Sequence, residues 1–307
     1  MYRFHVAIAD LVPPPSGERD GLPRLPILER LLATADRAAA EGDWRRWALQ
    51  RLGCALPAGR PALARRLAEQ HGGAVEGVTW FVLTPLHLVA GLTTVHHHAA
   101  GPGAWTSSVA ERLAGDLARD FADADLCFRQ VGDQVLLGIS GLGEVQTQDP
   151  ALLAGRELSS GVAQGADARR LARLCSEFEL WLHGRGICAR DGRLVHALHP
   201  WGEGEVPIRP ARRSPRLLTD DPFLQSARGD ETDAEAALGV WSVAELLGQG
   251  RGFADADALW AQPLGARLRD GEIAEAHLYA AGSVWRLRAA QRWRFWRPIK
   301  PWWEQLT

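Results

Sequence analysis

Ten histidines, four cysteines and one lysine bound the chemistry open to this 307-residue chain. A Walker-type phosphate loop needs a lysine behind its glycines, and a Schiff-base enzyme needs a buried one. Lys300, in Arg297-Pro298-Ile299-Lys300-Pro301, suits neither. His96-His97-His98 is the densest imidazole run. Neighbours on a strand point to opposite faces, so His96 and His98 could share a metal ion. A solvated strand end is the competing expectation, because no carboxylate or cysteine lies close in sequence. Thr84-Pro85-Leu86-His87 closes a compact apolar run. Residues beyond strand ends often line the crevice of an α/β sheet. His87 could carry a proton or hold a ligand there, or sit in the core on one hydrogen bond.

The segment from Val195 to Pro207 is the most informative stretch. The alternation of a strand, which carries His196 and His199, passes into Trp201-Gly202-Glu203-Gly204, where glycines let a backbone turn sharply or approach a ligand. No helix begins cleanly afterwards, so a dinucleotide fingerprint is not met. Thr84, His87, His196, Trp201, Gly202 and Gly204 form a candidate ligand crevice, against a structural turn anchored by Trp201. Glu177 and Glu179 stand two apart on a helix, so they do not share a face and are not expected to act as paired carboxylates.

The cysteines, Cys54, Cys127, Cys175 and Cys188, form no C-x-x-C pair, so zinc knuckles and thioredoxin-like sites are not supported. Reduced thiols, no asparagine for N-glycosylation and no signal-like or transmembrane run predict a cytoplasmic protein. A net charge of −2 argues against a general nucleic-acid binder. Basic charge gathers instead in the tail over 289–307. There Trp293, Trp296, Trp302 and Trp303 interleave with Arg292, Arg294, Arg297 and Lys300. Trp and Arg favour protein interfaces, so another protein could dock through Trp293, Trp296, Arg297, Trp302 and Trp303. Packing of the tail on its own domain is the alternative.

These residues need elements to hold them. Arg3–Ala9 reads as a strand, 11–21 as a Pro/Gly-rich loop, and Pro23–Ala40 as a helix. Pro61 opens a second helix ended by Gly72-Gly73, and Val78–Leu83 is a buried strand. Ser107 or Ser108 caps a helix through Phe121, and Asp167 caps another ended by Gly184. Gly132-Asp133 joins two strands in a hairpin. Arg193–His199 is a strand, 203–221 a long Pro/Arg-rich loop, and Asp233–Leu247 a helix. Glu275–Ala280 and Ser283–Leu287 are two more strands around Ala281-Gly282. The expectation is one α/β domain over 1–307, with a mixed central sheet covered by helices.

One family shares this order of a Leu/Pro-rich helix, Thr84-Pro85-x-His87 with Gly91, the helix carrying Glu177 and Leu182, and Trp201-Gly202-x-Gly204-x-x-Pro207. Over Leu25 to Pro207 the chain resembles the RpfE-type bacterial regulatory proteins, often described as phosphoglycerate-mutase-like. The last motif is also similar to archaeal-type cofactor-independent phosphoglycerate mutases of the alkaline phosphatase superfamily. That resemblance implies a degenerate phosphomutase-like α/β fold. In the mutases it implies a two-metal site of Asp and His with a nucleophilic Ser. Here Leu92-Thr93-Thr94 follows Gly91, His196 replaces an expected Asn, and no Asp-Gly follows the first strand, although Asp10 does. The resulting expectation is a regulatory or partner-binding protein with no cofactor. The alternatives are a divalent-metal phosphoglycerate mutase or phosphatase drawing on Asp10, His87, His196, His199, Asp220 and Asp221, and a small-molecule-binding protein.

Overall fold

The computed structural model describes residues 2–11, 13, 22–56, 58–73, 75–98, 101–122, 125–205, 208–210 and 212–306. Most of the expected 11–21 loop, and Pro207 of the Trp-Gly motif, lie outside these residues. Contacts divide the chain into two compact units. One is drawn from Met1–Leu56 and Arg209–Thr307, the other from Pro57–Ile208.

The first unit opens with β1 (Arg3–Ile8), α1 (Pro26–Thr34), β2 (Asp36–Ala39) and α2 (Trp44–Arg51). The second unit follows with α3 (Leu63–Gln70), β3 (Val78–Leu86), β4 (Leu88–Ala90), β5 (Val95–His97) and α4 (Ser107–Asp120). It continues through β6 (Leu126–Val131), β7 (Gln134–Ser140), α5 (Ala168–His183) and β8 (Ala197–Trp201). The first unit resumes with β9 (Arg213–Leu217), α6 (Pro222–Ser226), β10 (Glu231–Trp241), α7 (Val243–Gly248) and α8 (Gln262–Arg269). It ends with β11 (Glu275–Ala280), β12 (Ser283–Arg288) and α9 (Trp302–Gln305).

The first unit holds a mixed sheet in the order β2-β12-β11-β1-β10-β9. β1 lies parallel to β10 and β11, and β10 to β9, whereas β12 and β2 run antiparallel. The β11–β12 hairpin turns on Ala281 and Gly282, both at positive φ, which matches the twist of a two-residue hairpin. β1 is buried along nearly its whole length, as a central strand covered on both faces must be. Phe4, Val6 and Ile8 pack with Leu28 and Leu32 of α1 and Leu264 and Leu268 of α8. His5 points the other way, toward Trp47 of α2.

The second unit holds an antiparallel sheet, β6-β7-β3-β8, and a small β4-β5 pair. The Gly132-Asp133 hairpin therefore belongs to an antiparallel sheet, and the mixed sheet arises elsewhere. Phe81 and Leu83 of β3 meet Leu113 and Leu117 of α4 and Leu171, Phe178 and Leu182 of α5. Both helices show the apolar spacing that predicts them.

Several elements differ from the sequence expectation. The helix over Pro23–Ala40 stops at Thr34, because Asp36–Ala39 pairs with β12 as an edge strand. α2 intervenes before the helix near Pro61 and is capped by Asp43, whose carboxylate accepts from Arg46 N at 2.8 Å. Asp233–Leu247 is mostly strand. Between β1 and β9 its Ala236, Ala237 and Gly239 serve as small side chains, with the Phe4 ring 3.7 Å from where a Gly239 Cβ would stand. α7 follows, capped by Ser242. β9 lies within the expected 203–221 loop and carries Pro215, which an edge strand tolerates. β8 extends past His199 through Pro200 for the same reason. α4 is capped by Thr106, not by Ser107 or Ser108. Asp167 accepts from Gly143 N at 2.5 Å and makes no side-chain cap. Among the described residues none of the four cysteines is in a disulfide, and no helix is long and apolar enough to cross a membrane.

Candidate ligand site

The Trp-Gly turn acts by packing. Trp201 is buried and its indole N–H donates to Thr84 Oγ1 at 2.6 Å. Gly202 takes φ +83, and its carbonyl accepts from Ala64 N at 2.9 Å at the start of α3. A Cβ on Gly204 would stand 2.5 Å from the Pro61 carbonyl carbon and oxygen and 2.6 Å from Ala62 N. Between the two glycines, the buried Glu203 carboxylate accepts from Arg60, from Thr147 N at 2.9 Å and from the Thr147 hydroxyl. Thr84, Trp201, Gly202 and Gly204 are thus tied into the second unit, and the turn holds Thr147 in place.

Thr147 lines a cavity of about 300 Å³ together with His97, His199 and Pro200. Leu158, Gly161, Val162 and Ala163 form one wall, and Leu171, Cys175, Ser176 and Glu179 of α5 the other. Backbone bonds seat its key residue. His97 N donates to Arg156 O at 2.8 Å, and Gly155 N to His97 O at 3.2 Å, which draws the Leu158–Gly161 turn against β5. His97 is 4% exposed, and neither ring nitrogen has a hydrogen-bond partner among the described residues. Burial lowers its pKa to about 4, and His199 and His96 add repulsion to the charged form. Burial also lowers His199, whose Nε2 lies 2.9 Å from Gln148 O. Both imidazoles are neutral near pH 7. The Cys175 thiol is pushed up to about 12 by burial and by Glu179, so it is no nucleophile there. Glu179 is shifted upward by desolvation. Among the described residues, no arginine or lysine lines the cavity.

The histidine run therefore divides differently from the expected His96–His98 pair. His97 is the inward residue. His96 Nε2 meets Thr94 Oγ1 at 2.8 Å, and His98 Nδ1 meets Arg193 at 2.7 Å. His87 Nδ1 donates to Leu194 O at 2.7 Å. Its Nε2 is packed where a Cβ on Gly103 would stand 2.6 Å away, with Asp191 Oδ1 at 3.9 Å. His196 Nδ1 accepts from Leu88 N at 3.1 Å, which leaves the proton on Nε2.

Of the other candidate metal ligands, Asp10, Asp220 and Asp221 belong to the first unit, whereas His87, His196 and His199 belong to the second. Asp10 follows β1 and accepts from Val243 N at 2.7 Å and Ser242 Oγ at 2.9 Å. Asp220 and Asp10 both push the Glu245 carboxyl upward, after burial as the larger cause. Asp221 caps α6 and pairs with Arg45 at 2.6 Å. Among the described residues, no group of three or more His, Cys, Asp or Glu is set to hold a metal ion.

A second imidazole pair escapes sequence reasoning. β1 and β11 bring His5 and His277 side by side, with ring centroids 5.1 Å apart. His277 Nε2 donates to Glu275 at 2.6 Å. Burial pushes His5 down to about 3, with His277 adding to the shift. Burial would raise Glu275, but hydrogen bonds from Arg286, Arg288 and His277 carry it to about 2. Burial lowers His277 as well, against the raising effect of its hydrogen bond to Glu275.

In the tail, Trp302 is buried. Its backbone N–H donates to Glu29 at 3.1 Å and its indole N–H to Pro23 O at 3.2 Å. Trp303 is partly buried against the same core, and Arg297 donates to Ala35 O at 2.9 Å. Trp293 and Trp296 are 63% and 68% exposed. The tail thus splits into an inward half and an outward half.

Neither a family model nor a curated protein matches the sequence. Among solved structures, the chain is similar to the cofactor-independent phosphoglycerate mutase from Thermoplasma acidophilum DSM 1728. The likeness has a TM-score of 0.35 and 15% identity over 94% of this chain and 89% of that one.

Proposed function

We propose that the protein binds a small uncharged or cationic molecule in the His97–His199 cavity of the second unit. The observation that carries this reading is the pair of buried, partnerless nitrogens on His97. A buried polar group without a partner costs roughly 1–3 kcal/mol. A ligand recovers part of that when the ring turns one nitrogen into the cavity, where a neutral imidazole offers a donor or an acceptor. The cavity lies at the lower end of the ordinary range of ligand pockets, roughly 300–1,000 Å³. Its lining gives no positive charge to a phosphate ester: two neutral imidazoles, hydroxyls of Thr147 and Ser176, an inert thiol and one carboxyl. Phosphoglycerate is the wrong kind of ligand for it.

The test is a calorimetric or NMR screen of uncharged alcohols, amides and amines, with 3-phosphoglycerate alongside. Ligands are expected from the uncharged and amine classes. His97→Leu is expected to weaken them about tenfold, the value of one or two neutral hydrogen bonds. The same variant should raise the unfolding free energy of the free protein by about 1 kcal/mol, since it removes two unsatisfied nitrogens. Tight phosphoglycerate binding, or hits indifferent to His97→Leu, would reject the reading.

A further inference from the structure

The first unit carries a separate surface with different chemistry. A depression of about 520 Å³ runs between α1 and α8. Its apolar lining comes from Ile27, Leu31, Leu268 and Leu287, and Arg30, Arg269 and Arg288 edge it. A second depression of about 360 Å³ shares Arg30 and Thr34 with the first and adds Arg294, Phe295, Arg297 and Ile299. Among the described residues, five arginines thus line the two, and no aspartate or glutamate does.

The arginines are not equivalent. Arg288 is matched by Glu275 and Arg294 by Asp36. Arg297 meets a carbonyl, which leaves its charge in place. Arg30 and Arg269 are exposed and make no ion pair or side-chain hydrogen bond among the described residues. Phe295 beside them is 80% exposed, and Ile299 46%. An exposed apolar patch of this kind, edged by the positive charge that Arg30, Arg269 and Arg297 keep in a chain of net charge −2, is complementary to an anionic amphipathic surface. A groove between two helices with an apolar floor suits a helical segment that sets apolar side chains at i, i+3, i+4 and i+7 and carboxylates on its flanks.

We propose that the α1–α8 groove and the Phe295–Ile299 segment dock an acidic amphipathic peptide segment of a partner protein. The apolar floor separates this surface from one built for nucleic acid, where aromatic stacking and a continuous basic track are needed.

The experiment selects peptides from a random display library on the full chain, then measures the consensus peptide by fluorescence polarisation. The consensus is expected to carry Asp or Glu around two or three apolar anchors. The double variant Arg30→Glu/Arg269→Glu is expected to lose about tenfold in affinity at low salt, with the loss shrinking at about 0.5 M salt. Both side chains are exposed, so the unfolding midpoint serves as the folding control. Phe295→Ala is expected to weaken binding at every salt concentration. A neutral or basic consensus would overturn the proposal. So would unchanged affinity in the double variant. Polyuridylate, or phosphatidylserine vesicles, outcompeting the peptide at this surface would overturn it in favour of the competing class.

Discussion

Gly204→Ala is expected to destabilise the second unit by about 2–4 kcal/mol, at the upper end of overpacking costs. The added methyl would meet backbone atoms, Pro61 C and O at 2.5 Å and Ala62 N at 2.6 Å, not the movable end of a side chain. Relief requires the start of α3 or the Trp-Gly turn to shift. Either movement disturbs Glu203, whose carboxylate holds Arg60 and Thr147. Gly202→Ala makes an informative partner. Its Cβ would find neighbours only from 3.6 Å, so the cost there is the positive φ alone, about 1–2 kcal/mol. Urea unfolding of both variants checks the order. Equal losses would show that Pro61 yields and that packing at Gly204 is not tight.

The second large effect is acid sensitivity beginning unusually high. His5 and His97 have folded-state pKa values of about 3 and about 4, because burial disfavours their charged forms. Their unfolded values lie near 6.5. Between these limits the unfolded chain binds more protons than the folded one, so stability falls as pH falls. The contribution is complete above about pH 6.5 and is lost toward pH 4 for His97 and pH 3 for His5. Each such histidine costs about 1.4 kcal/mol per pH unit in that window. For His97 the total is on the order of 3 kcal/mol. His87, His199 and His277 are shifted the same way. Glu275 acts at lower pH: its folded value of about 2 lies below its usual range, and its contribution disappears between about pH 4.5 and 2. Urea midpoints measured from pH 7.5 to 4.5 should therefore fall steadily, and His97→Leu should flatten part of the slope. A level profile over that range would contradict the buried neutral imidazoles.

Elements with a clean period are legible in the sequence. β1, the β6–β7 and β11–β12 hairpins, α4 and α5 follow from alternation, helical spacing and Gly-containing turns. β10 is not, because its alanines carry a helical preference that only its place between β1 and β9 overrides. The site is harder still. His97 faces inward because Arg156 and Gly155 bond to its backbone, some sixty residues downstream. Nothing within Thr94–His98 signals which face of that short strand is covered. Trp201-Gly202-x-Gly204 is conspicuous in sequence for a reason that proves mechanical. Gly204 is demanded by the close approach of Pro61 and Ala62, Gly202 by its positive φ, and the one chemical group between them, Glu203, faces Thr147.

The position of β1 has a consequence for biosynthesis. Its two partners, β10 and β11, begin more than two hundred residues later in the chain. At roughly 5–20 residues per second, this apolar strand waits on the order of 10–50 s on the ribosome before either neighbour emerges. The continuous unit ending at Ile208 has all its strands by then. Synthesis therefore favours the inserted unit folding first and its host last, with β1 waiting longest for its neighbours.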